Sequence, residues 1–429
     1  MLQTIRNAWK IPDLRKKILY TVLLLIIFRF GSVIPVPWID KSVLQEWLGG
    51  SGGSTLFDLL DTFSGGSFSQ ATIFAMSISP YINSSIIMQL LCVAIPALER
   101  MSKEGEEGRK KITKLTRYLT VVLAALQAYG LFVTLHNQRA IMTVDGVPKF
   151  LVGLTIVTAF TAGTAFLMWL GEEITGKGIG NGISMLIFAG IVSNLPNMIQ
   201  MAWKNFVPQG KWYVLLLLAI YMLASILFVV LVNEGERRIP VQYAKRVVGR
   251  KMYGGQSTNI PIKVAMAGVI PIIFAMSIMS FPGTLAQLFG KSDGILVKIT
   301  NFVTTGPIYP ILYFLLIVGF TYFYTSITFN PIEVSNNIKR NNGMIPGIRP
   351  GRPTTEYIAK VLGKITLIGA MFLGIIAVLP IVLTQIFKTN FSALALTGTS
   401  LLIVVGVALE TVKQIESQMI MRHYKGFLE

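Results

Sequence analysis

Few residues in this 429-residue chain carry the chemistry of a catalyst. The two histidines, His136 and His423, lie at a loop edge and in the C-terminal tail, and the single cysteine, Cys92, lies within an apolar run. Neither a His-Glu-x-x-His motif nor a Gly-x-x-x-x-Gly-Lys-Ser/Thr motif is present. One cysteine can form neither an intrachain disulfide nor a cysteine-based metal site. The sequence therefore predicts no enzyme, no metal and no cofactor.

Branched apolar side chains recur at one-turn spacing in two of the apolar runs. Ile82 and Ile86 are four residues apart in one run, and Ile183, Ile187 and Ile191 repeat that interval in another. Residues four apart project from one face of a helix. If such faces meet across a central gap, they form a hydrophobic constriction that stops water and ions by dewetting. The same spacing also fits isoleucines that face lipid or pack against a neighbouring helix.

These residues need helices long enough to cross a membrane, and the chain has about ten suitable apolar runs. Hydrophobic residues make up 53% of the sequence and charged residues 14%, and the mean hydropathy is +0.63. Those values are too apolar for a soluble chain of this length. We predict an all-α polytopic membrane protein with spans near 18–36, 72–95, 118–136, 150–170, 179–199, 212–233, 264–282, 307–329, 365–387 and 394–411.

Basic residues alternate between the loops. Of the 38 Lys and Arg, 29 lie in the N-terminal arm, in every second loop and in the C-terminal tail, whereas eight lie in the intervening loops. Short loops rich in Lys and Arg stay in the cytoplasm, so both termini are predicted to be cytoplasmic. The net charge of +18 names no partner by itself, because most of it lies in loops that topology alone makes basic.

The predicted spans divide into two sets of five. The N-terminal half covers 1–200, an external loop covers 201–211, and the C-terminal half covers 212–429, with cytoplasmic loops at 234–263 and 330–364. Because five is odd, the second half starts on the other side of the membrane, so a structural repeat would be inverted. Pro80 in the second span and Pro271 in the seventh are predicted to kink equivalent helices around a pathway, although proline is also common in membrane helices without such a role.

A short amphipathic segment precedes the second span. Residues 56–63 have an apolar face at helical spacing but are too few to cross a membrane. Glycine-rich stretches at 49–54 and 64–67 predict a flexible joint on either side. The segment either lies flat on the outer surface or re-enters the protein and blocks a passage.

Two charged residues, Arg29 and Glu410, fall close to the ends of predicted spans. Snorkelling to the interface accounts for both. Ion-coupled transporters usually place paired ionisable groups at the bilayer midplane, and this sequence offers few. An inverted-repeat secondary transporter for a small solute nevertheless remains the alternative to a channel.

Several segments, in order along essentially the whole chain, resemble the SecY family, the central subunit of the protein-conducting channel. They are Ser79–Ile82, Gly178–Ser184, Tyr243–Arg246 with Gly249–Lys251, Ala267–Pro271, Pro346–Gly351 and Gly398–Ile403. The short tail and the chain length are similar to those of bacterial members. The resemblance implies two five-helix halves that clasp an hourglass channel, with a hinge at the loop between the fifth and sixth spans.

The resemblance also implies a pore ring and a plug. The ring would consist of Ile82, Ile86, Ile187, Ile191, Ile273 and Ile403. The plug, a short helix over about 56–66 that sits below the ring when the channel is idle, would include Leu56, Phe57, Asp58, Leu59, Leu60, Asp61, Thr62 and Phe63. Branched apolar side chains can seal around an extended polypeptide without reading its sequence.

The second and seventh spans are similar to the family's lateral gate, through which signal sequences and membrane helices leave for lipid. The gate residues implied are Pro80, Asn83, Ser84, Gln89, Pro271 and Ser277. Their polar side chains are expected to hydrogen-bond across the closed gate, each bond contributing about 0.6 to 2 kcal/mol. Bonds of that size are weak enough to be lost on opening.

The resemblance further implies partners. Ribosomes, through RNA and protein, or the motor ATPase SecA would dock on flexible basic loops that contain Lys245, Arg246, Arg250, Lys251 and Arg349. The small membrane subunits SecE and SecG, polypeptides with signal sequences and the lipid bilayer complete the expected partners. The predicted function is a protein-conducting channel of the bacterial inner membrane that a partner energises.

Overall fold

The computed structural model describes residues 2–49, 61, 64–142, 148–206, 208, 212–243, 246–248, 251–253, 257–289, 308–387 and 392–425. The N-terminal half contains the helices α1 (Leu2–Lys10), α2 (Pro12–Gly31), α3 (Lys41–Gly49), α4 (Ser79–Ala94), α5 (Pro96–Lys103), α6 (Glu106–Asn137), α7 (Lys149–Lys177) and α8 (Gly182–Phe206). The C-terminal half contains α9 (Trp212–Glu234), β1 (Glu236–Tyr243), β2 (Arg246–Val248), β3 (Lys251–Tyr253), β4 (Ser257–Lys263), α10 (Ile270–Phe289), α11 (Ile308–Thr328), α12 (Pro331–Arg340), β5 (Gly343–Met344), α13 (Arg352–Phe387) and α14 (Ser392–Lys425).

Each of the ten predicted spans falls largely on a helix. Among the described residues, five helices are long and apolar enough to cross a membrane alone, and α4 with α5 forms a sixth candidate that bends by 102°. Shorter apolar helical stretches lie at 182–197, 219–234 and 270–279. The protein is therefore a mainly helical, multi-pass membrane protein, as predicted.

The packing order of the helices repeats between the two halves. In the first half α4 packs on α6, α6 on α7 and α7 on α8, and in the second half α10 packs on α11, α11 on α13 and α13 on α14. The halves meet where α10 contacts α4 and α6, and where α14 contacts α8. The second helix of each half thus lies at the seam between the halves.

A turn of the same local geometry precedes α4 and α10. Ser77 has a φ of 52° and Gly268 a φ of 58°, and each lies three residues before a proline, Pro80 or Pro271. Both prolines lie in the first turn of their helix, so the predicted kinks inside longer helices are wrong. The reason is that proline lacks an N–H group, which the first turn of a helix does not use for bonds within the helix.

The hydrogen bonds of the two turns also correspond. The amide of Ile82 donates to the carbonyl of Ile78 at 3.0 Å, and the amide of Ile273 donates to the carbonyl of Val269 at 3.3 Å. Ile82 and Ile273 therefore occupy equivalent positions in the two halves. Such a match between the two halves is expected of a structural repeat.

The connection between the halves is shorter than the predicted loop at 201–211. Helix α8 continues to Phe206, and α9 begins at Trp212. Residues 201–206 contain no proline or glycine, whereas Pro208 and Gly210 follow them. The helix therefore persists until the first residues that disfavour it.

Two loops that were predicted to be flexible fold together into a sheet platform, formed by β1, β4, β5 and α12. Strand β1 is central and pairs antiparallel with β4 and with β5, which joins the loop after α9 to the loop after α11. Ile239, Val241 and Ile262 on the strands pack with Ile338 and Ile358 in a separate buried cluster. The alternation of buried and exposed residues along β1 is the strand signal that a search for membrane helices overlooks.

Candidate functional site

One continuous apolar cluster joins the two halves. It contains Ile187 and Ile191 of α8 and Ile403 of α14, with the partly buried Ile82 of α4 and Ile273 of α10 packed against it. These are five of the six residues assigned to the ring, and they come from two helices of each half. The structure thus brings together side chains that are as many as 321 positions apart in the sequence.

Ile86 is the ring residue that lies outside this cluster. Its side chain is buried, at 3% exposure, but it is not among the members of the cluster. One helical turn separates it from Ile82, a rise of about 6 Å along α4.

The residues assigned to the ring are packed among other side chains in this structure. Ile191 and Ile403 have no exposed surface, and Ile187 is 3% exposed. Side chains that lined an open aqueous passage would be wetted, so these three do not line one in this conformation. Ile82 and Ile273 are only partly buried. They lie at the edge of the packed region.

Charged side chains are missing from the buried interior of the described residues. The buried polar side chains there are Ser, Thr and Asn, together with the tyrosines Tyr309 and Tyr313. The same part of the chain contains no group of three His, Cys, Asp or Glu side chains that could hold a metal ion. The described interior therefore offers no charged binding site for a small solute or a coupling ion.

The two helices assigned to the lateral gate are in contact, α4 from one half and α10 from the other. Pro80 and Pro271 are buried at their first turns, and Asn83 and Ser277 are partly buried. Both helices thus lie side by side at the seam, each with a proline at its start.

The polar bonds of the gate differ from those expected. The Ser84 hydroxyl donates to the carbonyl of Pro80 at 2.8 Å, and the Gln89 amide donates to the Ser85 hydroxyl at 3.5 Å. Both bonds stay within α4, so the prediction that these two side chains bond across the gate is wrong for this conformation. Away from water, a serine hydroxyl readily bonds to the carbonyl one turn earlier in its own helix.

Of the residues assigned to the plug, only Asp61 is described; Leu56–Leu60, Thr62 and Phe63 lie outside the described residues. The Ser64–Ser67 stretch that follows was predicted to be a flexible joint, but all four residues are buried. The Gly66 amide and the Ser64 hydroxyl donate to the Asp61 carbonyl, at 2.8 and 3.0 Å. The amide of Ser69 donates to the Asp61 carboxylate at 2.7 Å. We call residues 61 and 64–69 the Asp61 turn.

Arg29, whose position near the end of a span was attributed to snorkelling, has hydrogen-bond partners within the protein. Its Nη1 donates to the hydroxyl of Ser193 on α8 at 3.2 Å and to the carbonyl of Gly65 in the Asp61 turn at 3.3 Å. The Ser32 hydroxyl is a third acceptor at 3.4 Å. The available sequence signal was a cation near the end of an apolar run, which did not reveal its partners.

A second polar network, near the C-terminal end of α7, was not predicted from the sequence. Glu172 forms an ion pair with Arg117 of α6 at 2.7 Å, and the neighbouring Glu173 accepts from the Tyr20 hydroxyl of α2 at 2.8 Å. Lys177 pairs with Glu173 at 2.8 Å. Two consecutive glutamates near the C-terminal end of α7 thus connect it to α6 and α2.

The residues assigned to partner docking are only partly described. Arg349 is exposed on the loop after β5, where its carbonyl accepts from the Thr354 hydroxyl at 2.9 Å. Arg246 and Lys251 begin the paired strands β2 and β3, of which only the backbone is described. Lys245 and Arg250 lie outside the described residues.

Comparison with known proteins identifies the family. The SecY family model matches residues 72–412. Proteins named protein translocase subunit SecY from Halalkalibacterium halodurans and Bacillus subtilis are 47% and 44% identical to this chain, and each alignment covers 100% of both chains. A solved protein-conducting channel superposes with a TM-score of 0.65 at 20% identity, over 94% of this chain and 92% of that one. Sec61 from the canine ribosome-channel complex superposes with a TM-score of 0.61 at 18% identity, over 94% of this chain and 92% of that one.

Proposed function

This chain belongs to the SecY family, and we propose that it forms a channel that passes unfolded polypeptides across a membrane and releases apolar segments sideways into lipid. The observation that carries this proposal is the packed cluster of Ile82, Ile187, Ile191, Ile273 and Ile403 at the seam between the halves. The transporter alternative has no support from the relatives. The described interior also lacks the buried charged side chains that such a transporter would need.

The cluster explains how one opening can accept many sequences. Aliphatic side chains interact with an inserted chain through dispersion and desolvation, which depend little on its sequence. When no polypeptide is present, the same side chains pack on one another and exclude water. The constriction therefore closes around whatever occupies it.

The sideways exit follows from the contact between α4 and α10. These helices belong to different halves, so a rotation of one half against the other separates them. A segment that is apolar enough to prefer lipid leaves through the gap, whereas a polar segment stays in the aqueous path. The sequence assigns Asn83 and Ser277 to this exit, and both are partly buried in the closed state.

The energy for transport comes from a partner, because the sequence contains no nucleotide-binding motif. Solved relatives include a Sec61 channel in a ribosome complex and an idle yeast Ssh1 complex bound to the yeast 80S ribosome. A ribosome or the motor SecA docks on the sheet platform near Arg349, and SecE and SecG accompany the chain. The similarity to bacterial relatives and the positive-inside pattern support a location in the bacterial inner membrane with both termini in the cytoplasm.

A crosslinking experiment tests the proposal. Cys92 is first replaced by serine, and a cysteine is then introduced by Ile187→Cys in the complete complex. A stalled secretory polypeptide that carries a photoreactive or thiol-reactive group is expected to form an adduct at position 187, because this position lies in the cluster. Leu223→Cys is the matched control, since Leu223 on α9 is 69% exposed on the outer surface of the helices.

Adducts at position 187 but not at position 223 support a polypeptide path through the cluster. Adducts at neither position, while the same polypeptide crosslinks to other sites of the complex, would contradict that path. Adducts at position 223 alone would place the polypeptide outside the bundle and contradict the channel as well.

A further inference from the structure

Arg29 links three separate parts of the first half. It lies in the last turn of α2, and its Nη1 approaches the Gly65 carbonyl in the Asp61 turn and the Ser193 hydroxyl on α8. The Ser193 hydroxyl in turn donates to the Gly190 carbonyl at 2.8 Å, so its lone pairs remain available to the guanidinium. One cation therefore connects α2, the Asp61 turn and α8.

Gly65 allows the Asp61 turn to pack directly against α8. Its φ is +68°, a conformation that glycine adopts without strain. A Cβ at this position would lie 2.6 Å from the Ser193 Oγ and 3.0 Å from the Gly190 carbonyl oxygen, so no larger residue fits. The carbonyl that Arg29 binds is thus held against the same turn of α8 that supplies the serine.

The turn is stabilised internally as well as through Arg29. The amide of Phe68 donates to the Ser64 hydroxyl at 3.1 Å, and the Ser69 hydroxyl donates to the Gly66 carbonyl at 3.0 Å. The Ser67 hydroxyl, although its residue is only 1% exposed, has no hydrogen-bond partner in this conformation. A buried hydroxyl without a hydrogen-bond partner is unfavourable, so one group in the closely packed turn opposes its packing against α8.

The contact between the Asp61 turn and α8 lies close to the constriction. Ser193 and Asn194 follow Ile191 within one turn of α8, and Ile187 precedes it by one turn on the same face. A movement of the Asp61 turn away from α8 would remove the support behind this part of the ring. The Asp61 turn is also the point at which the segment assigned to the plug rejoins the rest of the chain.

We propose that Arg29 is a positioning residue that pins the Asp61 turn to α8 and thereby sets how firmly the idle channel is closed. This inference rests on the proposed channel function. The three donor–acceptor distances are longer than the 2.7–2.9 Å usual for charge-assisted bonds, and the Arg29 side chain is exposed. Each bond is therefore weak, and the pin can release when a polypeptide enters and re-form when it leaves.

The test uses the full complex in lipid vesicles, without a translocating substrate. Arg29→Met keeps the length and apolar stem of the side chain but removes its donors. We expect ion leak through the idle channel to rise by about tenfold, which corresponds to about 1.4 kcal/mol of bias lost from the closed state. Arg15→Met, which removes a cation from the opposite end of the same helix, is expected to leave the leak unchanged.

A second readout reports on the turn itself. In a chain with Cys92 replaced by serine, Ser67→Cys places a thiol at a position with 1% exposure, and its labelling rate measures release of the turn. Arg29→Met should raise that rate together with the leak. Ser193→Ala should produce a smaller rise in both, because it removes only one acceptor. Ser225→Ala is its matched control, since Ser225 also bonds to a carbonyl three residues earlier in its helix.

Increases in both leak and labelling for Arg29→Met and Ser193→Ala, but not for the controls, support the pin. Unchanged labelling at position 67 in Arg29→Met overturns it, as does an increase of equal size in the Arg15→Met control. If the Ile187 adducts form while the Arg29 variants behave like the unmodified protein, the pin is wrong and the channel stands. If those adducts do not form, the channel itself is wrong.

Discussion

Replacement of Ile403 by asparagine probes the constriction directly. Ile403 on α14 has no exposed surface and packs in the cluster that joins the halves. Ile403→Asn replaces a buried aliphatic side chain with an amide of similar size, so apolar burial that contributes about 1.5–3 kcal/mol is lost. It also buries an amide, which costs about 1–3 kcal/mol if the amide finds no partner.

Only part of this energy acts on the equilibrium between the closed and open channel. The side chain is packed in the closed state and becomes wetted or contacts substrate in the open state, so the closed state bears most of the loss. A differential effect of about 3 kcal/mol would raise the open fraction on the order of 100-fold. We therefore expect a large increase in idle ion conductance and acceptance of polypeptides with weakened signal sequences.

The measurement is single-channel or bulk ion conductance of the reconstituted complex, with thermal unfolding recorded in parallel. Ile317→Asn is the control, because Ile317 on α11 is equally buried but belongs to a different cluster within the second half. Ile317→Asn should lower the unfolding temperature without raising conductance. A folded Ile403→Asn protein with normal conductance, or equal conductance in both variants, would refute the assignment of Ile403 to the ring.

Three further predictions concern the ends of the helices and the sheet platform. A double-mutant cycle of Arg117→Gln and Glu172→Gln should give a coupling free energy below about 1 kcal/mol that decreases with salt, because the arginine is half exposed; a larger, salt-independent value in unfolding experiments would contradict this. Gly343→Val should disrupt the sheet platform, because a Cβ at Gly343 would lie 2.8 Å from the Tyr243 ring. Ribosome binding should then fall while the idle ion conductance stays normal. Intact ribosome binding would argue against docking on the platform. Arg349→Glu should weaken ribosome binding and reduce its dependence on salt, measured by co-sedimentation over a salt series; an unchanged salt slope would exclude contact with phosphate.

Membrane helices were the most predictable part of this fold. Their apolar runs are long, and an α-helix satisfies its backbone hydrogen bonds within one segment, so hydropathy alone located them. Their exact starts were less predictable. Pro80 and Pro271 suggested kinks within helices, whereas both lie at helix starts after a left-handed residue. A proline is compatible with either position, and only the fold around it decides between them.

The sheet platform and the contacts of Arg29 could not be predicted from the sequence, for different reasons. Strand β1 has two arginines near its start, and its buried and exposed residues alternate only over 238–242, a signal that is weak beside the charge pattern of its loop. Its pairing with β5 joins loops about 100 residues apart, which local sequence does not encode. Arg29 finds acceptors in Gly65 and Ser193, 36 and 164 residues away, and composition cannot supply such partners.

The left-handed residues at Ser77 and Gly268 have a mechanical consequence for the seam between the halves. A rod held at one end moves farthest at the other, and the starts of α4 and α10 meet near the constriction, because Ile82 and Ile273 in their first turns pack against the same cluster. A tilt of ten degrees would carry the far end of a 16-residue helix by about 4 Å and that of a 20-residue helix by about 5 Å. Small tilts about these starts would therefore separate the far ends of the two helices, while the constriction itself moves least.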